Sequence, residues 1–137
     1  MRRAVVALSL VLAACTNAVK ADLDAYVHAG LPTLIAYEIR LQDDAKNPHD
    51  MVKQARAYVK AAESIHPTTT PIRALHDLKL HAARSQAAAL VDFEAALNKR
   101  NRALGNRARS RFRAARAEYG AFDAKLAELK RSYGVRN

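Results

Sequence analysis

The chain has 137 residues, enough for one domain with its own core, and its single cysteine rules out an intramolecular disulfide or a multi-cysteine metal site. Half of it is hydrophobic, with four glycines, four prolines and no tryptophan. Much of that half is alanine, which favours helix, and no β-branched run bounded by turn residues reads as a strand. Lysine and arginine outnumber aspartate and glutamate 23 to 13, a net charge of +10.

Residues 1–14 have the three parts of a secretory signal: Arg2 and Arg3, the apolar run Ala4 to Leu12, then small Ala13 and Ala14. The run is too short to cross a bilayer, which takes about 20 residues. Cys15 follows Leu12-Ala13-Ala14 directly. This segment resembles the lipobox signals of bacterial lipoproteins, in which leucine and two small residues precede the cysteine that is acylated and becomes the mature N-terminus. The resemblance implies an exported chain anchored to a bacterial membrane through lipid on Cys15. Thr16, rather than aspartate, follows the cysteine. In a host with two membranes the resemblance implies the periplasmic face of the outer one. It covers this short segment alone and implies nothing about the fold beyond it.

Residues 15–21 read as a lipidated tether and 22–137 as an all-α domain. The first helical segment, 22–45, carries Leu23, Val27, Gly30, Leu34, Tyr37 and Leu41 on one face, with a kink or break expected near Leu31 because Pro32 follows. Asn47-Pro48 is a cap and a first-turn proline for the second segment, whose inward residues are Met51, Val52, Ala55, Tyr58, Val59, Ala62 and Ile65. His66-Pro67 ends it.

Thr70-Pro71 starts the third segment, expected to run to about Leu104, with Ile72, Leu75, Leu78, Ala82, Ala83, Ala89, Leu90, Phe93 and Leu97 inward. Gly105-Asn106 reads as the stop. The fourth segment places Ala108, Phe112, Ala115, Tyr119, Phe122, Leu126, Leu129 and Tyr133 on a coiled-coil-like seam. Four segments with short joints predict an antiparallel up-down-up-down bundle with long third and fourth helices, or three helices if the first breaks at Pro32. The third and fourth should overhang the second by about 20 Å, leaving an inner face of Leu90, Phe93, Leu97 and Phe112 that two helices alone cover incompletely.

The charge is uneven. Residues 15–94 hold nine basic and ten acidic groups, and 118–137 hold four and three. Between them lie Lys99, Arg100, Arg102, Arg107, Arg109, Arg111, Arg113 and Arg116, with no acid between Glu94 and Glu118. Apart from Arg2 and Arg3, the excess therefore belongs to one hairpin tip, distal to the anchor. Arginine forks pair with carboxylates and phosphates, so the tip suits an anionic envelope polymer or an acidic protein. Nucleic acid fits the charge but not an exported chain. The bland reading is a solvated arginine-rich helix with no partner.

No catalytic constellation is legible, and no cofactor is implied. Asp43-Asp44 is turn chemistry, Ser110 and Ser132 have no histidine at helical spacing, and Ser85 has only His81 four residues before it. Of His28, His49, His66, His76 and His81 only His66 stands in a Glu-x-x-His pair, with Glu63, whereas a di-metal bundle needs two. The sequence thus favours a membrane-anchored, non-enzymatic binding or adaptor protein. Its competitors are a self-associating structural envelope protein, a histidine-based metal or cofactor binder, and an immunity or inhibitor lipoprotein.

Overall fold

A computed structural model describes the backbone of residues 2–136 and the side chains of residues 14–136. The apolar side chains of the expected signal, 4–12, lie outside the described residues. The helices are α1 (Arg2–Ala25), α2 (Leu31–Asp43), α3 (Pro48–Glu63), α4 (Thr70–Lys99) and α5 (Arg102–Tyr133), and a π-helical turn, Tyr26–Gly30, joins the first two. Since that join is continuous, the all-helical fold is an antiparallel bundle of four arms. Among the described residues no helix is long and apolar enough to cross a membrane.

Pro32 does not break the first arm. Its ring crowds the carbonyl four residues back and it has no N–H to return. The helix instead widens just before it, with the Leu31 N–H bonding the Tyr26 carbonyl. Tyr26 turns inward and is buried. A Cβ at Gly30 would stand 3.2 Å from the Tyr26 ring, so glycine is what lets the ring lie against its own helix. Residues 16–21, expected as a tether, are helical, and Val19 packs against the core.

α3 starts as its sequence dictates: Asn47 accepts from the Asp50 N–H at 2.9 Å and Pro48 follows. The start of α4 is capped from outside. The Asp22 carboxylate of α1 accepts from the Thr69 N–H at 2.7 Å, the Thr69 hydroxyl at 2.6 Å and the Thr68 N–H at 3.0 Å. Burial opposes the charged form of Asp22, but these hydrogen bonds outweigh it and hold the carboxyl below its ordinary value.

The turn between α4 and α5 corrects the expected stop at Gly105. α4 ends at Lys99, Arg100 takes the left-handed conformation (φ 47°), and Asn101 caps α5 by accepting from the Leu104 N–H at 3.2 Å. Asparagine offers a side-chain acceptor that glycine lacks, so it wins the cap. Gly105 lies inside α5, where it faces Ala96 across the hairpin.

The core stacks in three levels. Leu23, Tyr26, Ile72, Leu75, Phe122 and Leu129 form the lowest. Leu34, Tyr58, Ala62 and Ala83 form the next, and Leu41, Val52, Ala55 and Leu90 the highest. α2 and α3 stop there, where His49 Nδ1 meets Glu94 Oε1 at 3.0 Å. α4 and α5 continue alone. Residues 94–99 overhang by about 8 Å rather than about 20 Å, because the turn comes about five residues early and the first residues of α4 extend below the end of α3. Cys15 lies on α1 below Leu23, so it and the tip occupy opposite ends of the bundle.

Candidate functional site

Above the last core level the interior of the bundle opens to solvent. Phe93 and Leu97 of α4 and Phe112 of α5, expected inside, are 36 %, 52 % and 36 % exposed. Their faces turn inward as the period demands, but no described helix covers Phe93 and Leu97, and Phe112 stands at the edge of α2 and α3. They floor a groove of about 630 Å³, with Ala96, Gly105 and Ala108 at its base. Small residues there give the groove its depth. Phe112 is shared with a second cleft, about 450 Å³, that runs down between α2 and α5 past Leu41, Met51 and Leu90.

The eight basic residues of the tip separate into distinct groups. Arg100, Arg102, Arg109, Arg113 and Arg116 line the groove. None has an acidic partner among the described residues. Lys99 is exposed at the end of α4 and does not line it.

Arg107 and Arg111 lie on the other side of α5, where both bind Asp92. Arg107 donates twice, from Nε at 2.9 Å and Nη2 at 2.7 Å, and Arg111 donates from Nη1 at 2.8 Å. The Asp92 side chain is 6 % exposed. The hydrogen bonds from Arg107, with the charges of Arg107 and Arg111, outweigh its burial and hold its carboxyl below the ordinary value. In turn Asp92 raises Arg107. This clamp fastens the hairpin and removes two of the eight cations from the available set.

Asp92 was missed by the sequence reading because the turn was misplaced. With the reversal at Arg100–Asn101, an antiparallel pairing sets Asp92 opposite Arg107 and Arg111. The position of the cap was the signal.

A second polar cluster lies deeper. Lys79 Nζ sits 2.7 Å from Glu38 Oε1 and 4.8 and 4.9 Å from the ring centroids of Tyr119 and Phe122. Tyr58 donates to the same Glu38 oxygen at 2.7 Å, and Tyr119 donates to Gln86 at 2.9 Å. Burial, then the neighbouring Tyr119 and Glu38, push the Tyr58 hydroxyl well above its ordinary value, and burial raises Tyr119 to about 12. Both hydroxyls stay protonated, and the cluster ties all the upper arms together. Lys79 falls at helical spacing with Leu75, Ala82 and Ala83, so the period marked it as inward-facing; its charge hid it.

The histidines serve separate elements. His76 is buried, with Nδ1 3.0 Å from the Tyr26 hydroxyl and Nε2 2.9 Å from the Ala62 carbonyl. That carbonyl can only accept, so Nε2 carries the proton and Nδ1 accepts from tyrosine. His28 approaches Asp24, His49 approaches Glu94, and His81 approaches Glu118. Among the described residues no three histidine, cysteine, aspartate or glutamate side chains converge as a metal site would require. Cys15 is exposed.

Among the described residues the groove combines exposed Phe93, Leu97 and Phe112 with five arginines that have no acidic partner, and no protein-family model, curated protein or solved structure matches the chain.

Proposed function

We propose that the chain is a non-enzymatic binding or adaptor lipoprotein of the bacterial envelope, held at a membrane through Cys15 and engaging an anionic partner with its hairpin tip. The observation that carries this reading is the set of five arginines, without acidic partners among the described residues, around an open apolar groove. A purely solvated face has no reason to pair arginine with exposed phenylalanine and leucine. Arg100 adds weight. It holds a left-handed backbone where glycine would be unstrained, at a cost of about 1 kcal/mol, and the side chain so retained lines the groove.

The anchor reading is supported by the lipobox and by the exposure of Cys15 at the end opposite the tip. Mass spectrometry of the native protein should find a mature N-terminus at Cys15 carrying acyl groups; an unmodified thiol would remove the envelope from the proposal. Self-association through the same groove is the second reading, favoured by the exposure of Phe93, Leu97 and Phe112. It would bring two sets of arginines together, so an anionic partner is preferred.

Binding of the full chain to immobilised polyglutamate tests the charge reading. Affinity should fall steeply as salt rises through the physiological range. It should be lost when Arg109, Arg113 and Arg116 become glutamine. Binding indifferent to both would contradict it.

A further inference from the structure

We infer that the groove takes an acidic amphipathic α-helix of a partner protein, laid along α5 where the bundle's own helices stop. This rests on the anionic-partner reading above and names the partner's class. Three features of the tip carry it.

The first is the construction of the bundle. At the two lower core levels the paired α4 and α5 are closed over by another helical arm, α1 and its π-turn at the bottom and α2 with α3 above, and at the highest α2 and α3 still cover α4. At the tip the same paired face continues, with the same inward period, and nothing lies on it. Ala96, Gly105 and Ala108 at its base leave room for a backbone to approach.

The second is the shape of the charge. Arg109, Arg113 and Arg116 follow one another at steps of four and three, the spacing of a single helical ridge. They make a line about 10 Å long beside the apolar floor. A row of carboxylates at matching steps on a facing helix meets such a line, each pair being a charge-assisted hydrogen bond. One phosphate head group would engage a guanidinium or two and leave the others unpaired.

The third is what the charge forbids. A second copy in the groove would set one arginine rim against another. The occupant must therefore bring negative charge as well as an apolar face.

The test uses the full chain in zwitterionic nanodiscs and fluorescence anisotropy of a labelled synthetic helix. The probe is about 14 residues long, some 20 Å, with leucines on one face and glutamates flanking them. A second peptide has the same composition in scrambled order. The ordered peptide should bind and the scrambled one should not. Changing Arg109, Arg113 and Arg116 to glutamine should weaken binding by about thirtyfold, since each exposed ion pair contributes a few-fold. Leu97→Glu, at a position already half exposed, should abolish it without unfolding the chain. Removing three charges from α3 (Lys53, Arg56 and Lys60 to glutamine) should leave it nearly unchanged.

Equal binding of both peptides would overturn the helix inference and leave the anionic-partner reading standing. So would binding of phosphatidylglycerol vesicles, but of neither peptide, that depends on the same arginines. A concentration-dependent dimer abolished by Leu97→Glu would assign the groove to a second copy. If neither peptides nor vesicles respond to the arginine substitutions, both the inference and the reading beneath it fail.

Discussion

Glu38 accepts at one oxygen from both Tyr58 and Lys79, and the ammonium it neutralises is almost enclosed. A half-broken pair is costlier than no pair, because the survivor keeps a desolvated charge. Glu38→Ala should therefore cost about 2 kcal/mol in urea unfolding, and Lys79→Met, which leaves Glu38 with access to water and a tyrosine donor, clearly less. Equal losses would show that Lys79 is not held where described.

His76 makes a different prediction at the same scale. Burial first, only partly offset by its hydrogen bond to the Ala62 carbonyl, lowers its pKa in the folded state below the ordinary 6.5. Folding thus favours the neutral ring. Its contribution is fully present above the unfolded value and is lost as pH falls below it and through the folded one. The melting temperature should drop between about pH 7.5 and about pH 5, and drop less in His76→Gln, whose amide can still donate to Ala62. Parallel curves for the two proteins would rule out this histidine as the source.

Among the elements, the α4–α5 turn gives opposite expectations for neighbouring residues. Arg100→Gly relieves the left-handed backbone and should stabilise by about 1 kcal/mol. Asn101→Ala removes the cap of α5 and should destabilise by about the same amount. Denaturant midpoints moving in the same direction would mean the turn lies elsewhere.

This turn also marks the limit of what the sequence disclosed. Local chemistry announced the start of α3; Pro71 marked that of α4, but the cap expected of Thr70 is supplied by Asp22 from α1; and the seam of α5 predicted Ala108, Ala115, Phe122 and Leu129 as buried. Apolar period says which face turns inward but not whether anything covers it. The expected overhang added that for Phe93, Leu97 and Phe112, whose inward face two helices alone cover incompletely, and these residues are the floor of a groove. Buried polar residues escaped for the complementary reason. Lys79, His76 and Asp92 occupy inward positions whose cost is repaid by partners on other helices, and partners are a property of the fold. Pro32 announced a kink or break near Leu31 but not which, because the π-turn that absorbs it depends on Tyr26 turning into the core.

For the whole molecule, stability and binding should separate by location. The lower levels hold the apolar core and its hydrogen-bonded side chains, whereas the tip is fastened by Asp92 with Arg107 and Arg111 and otherwise carries exposed charge. Glutamine at Arg109, Arg113 and Arg116 should leave urea stability within about 0.5 kcal/mol of the parent, since it relieves repulsion and breaks no ion pair. A loss of several kcal/mol would place those arginines in the architecture and take them out of any binding face.

The Cys15 end and the arginine-rimmed end face away from each other, which makes position the most direct test of the binding proposal. A photo-crosslinking side chain placed at Leu97 or Arg113, in intact envelopes with the acyl anchor retained, should capture an acidic protein. The same probe at Lys53 or Lys60 of α3 should capture none of it, and the tip adduct should disappear in high salt. Adducts of equal yield from both faces, or none from the tip, would contradict the assignment of the groove as the binding surface.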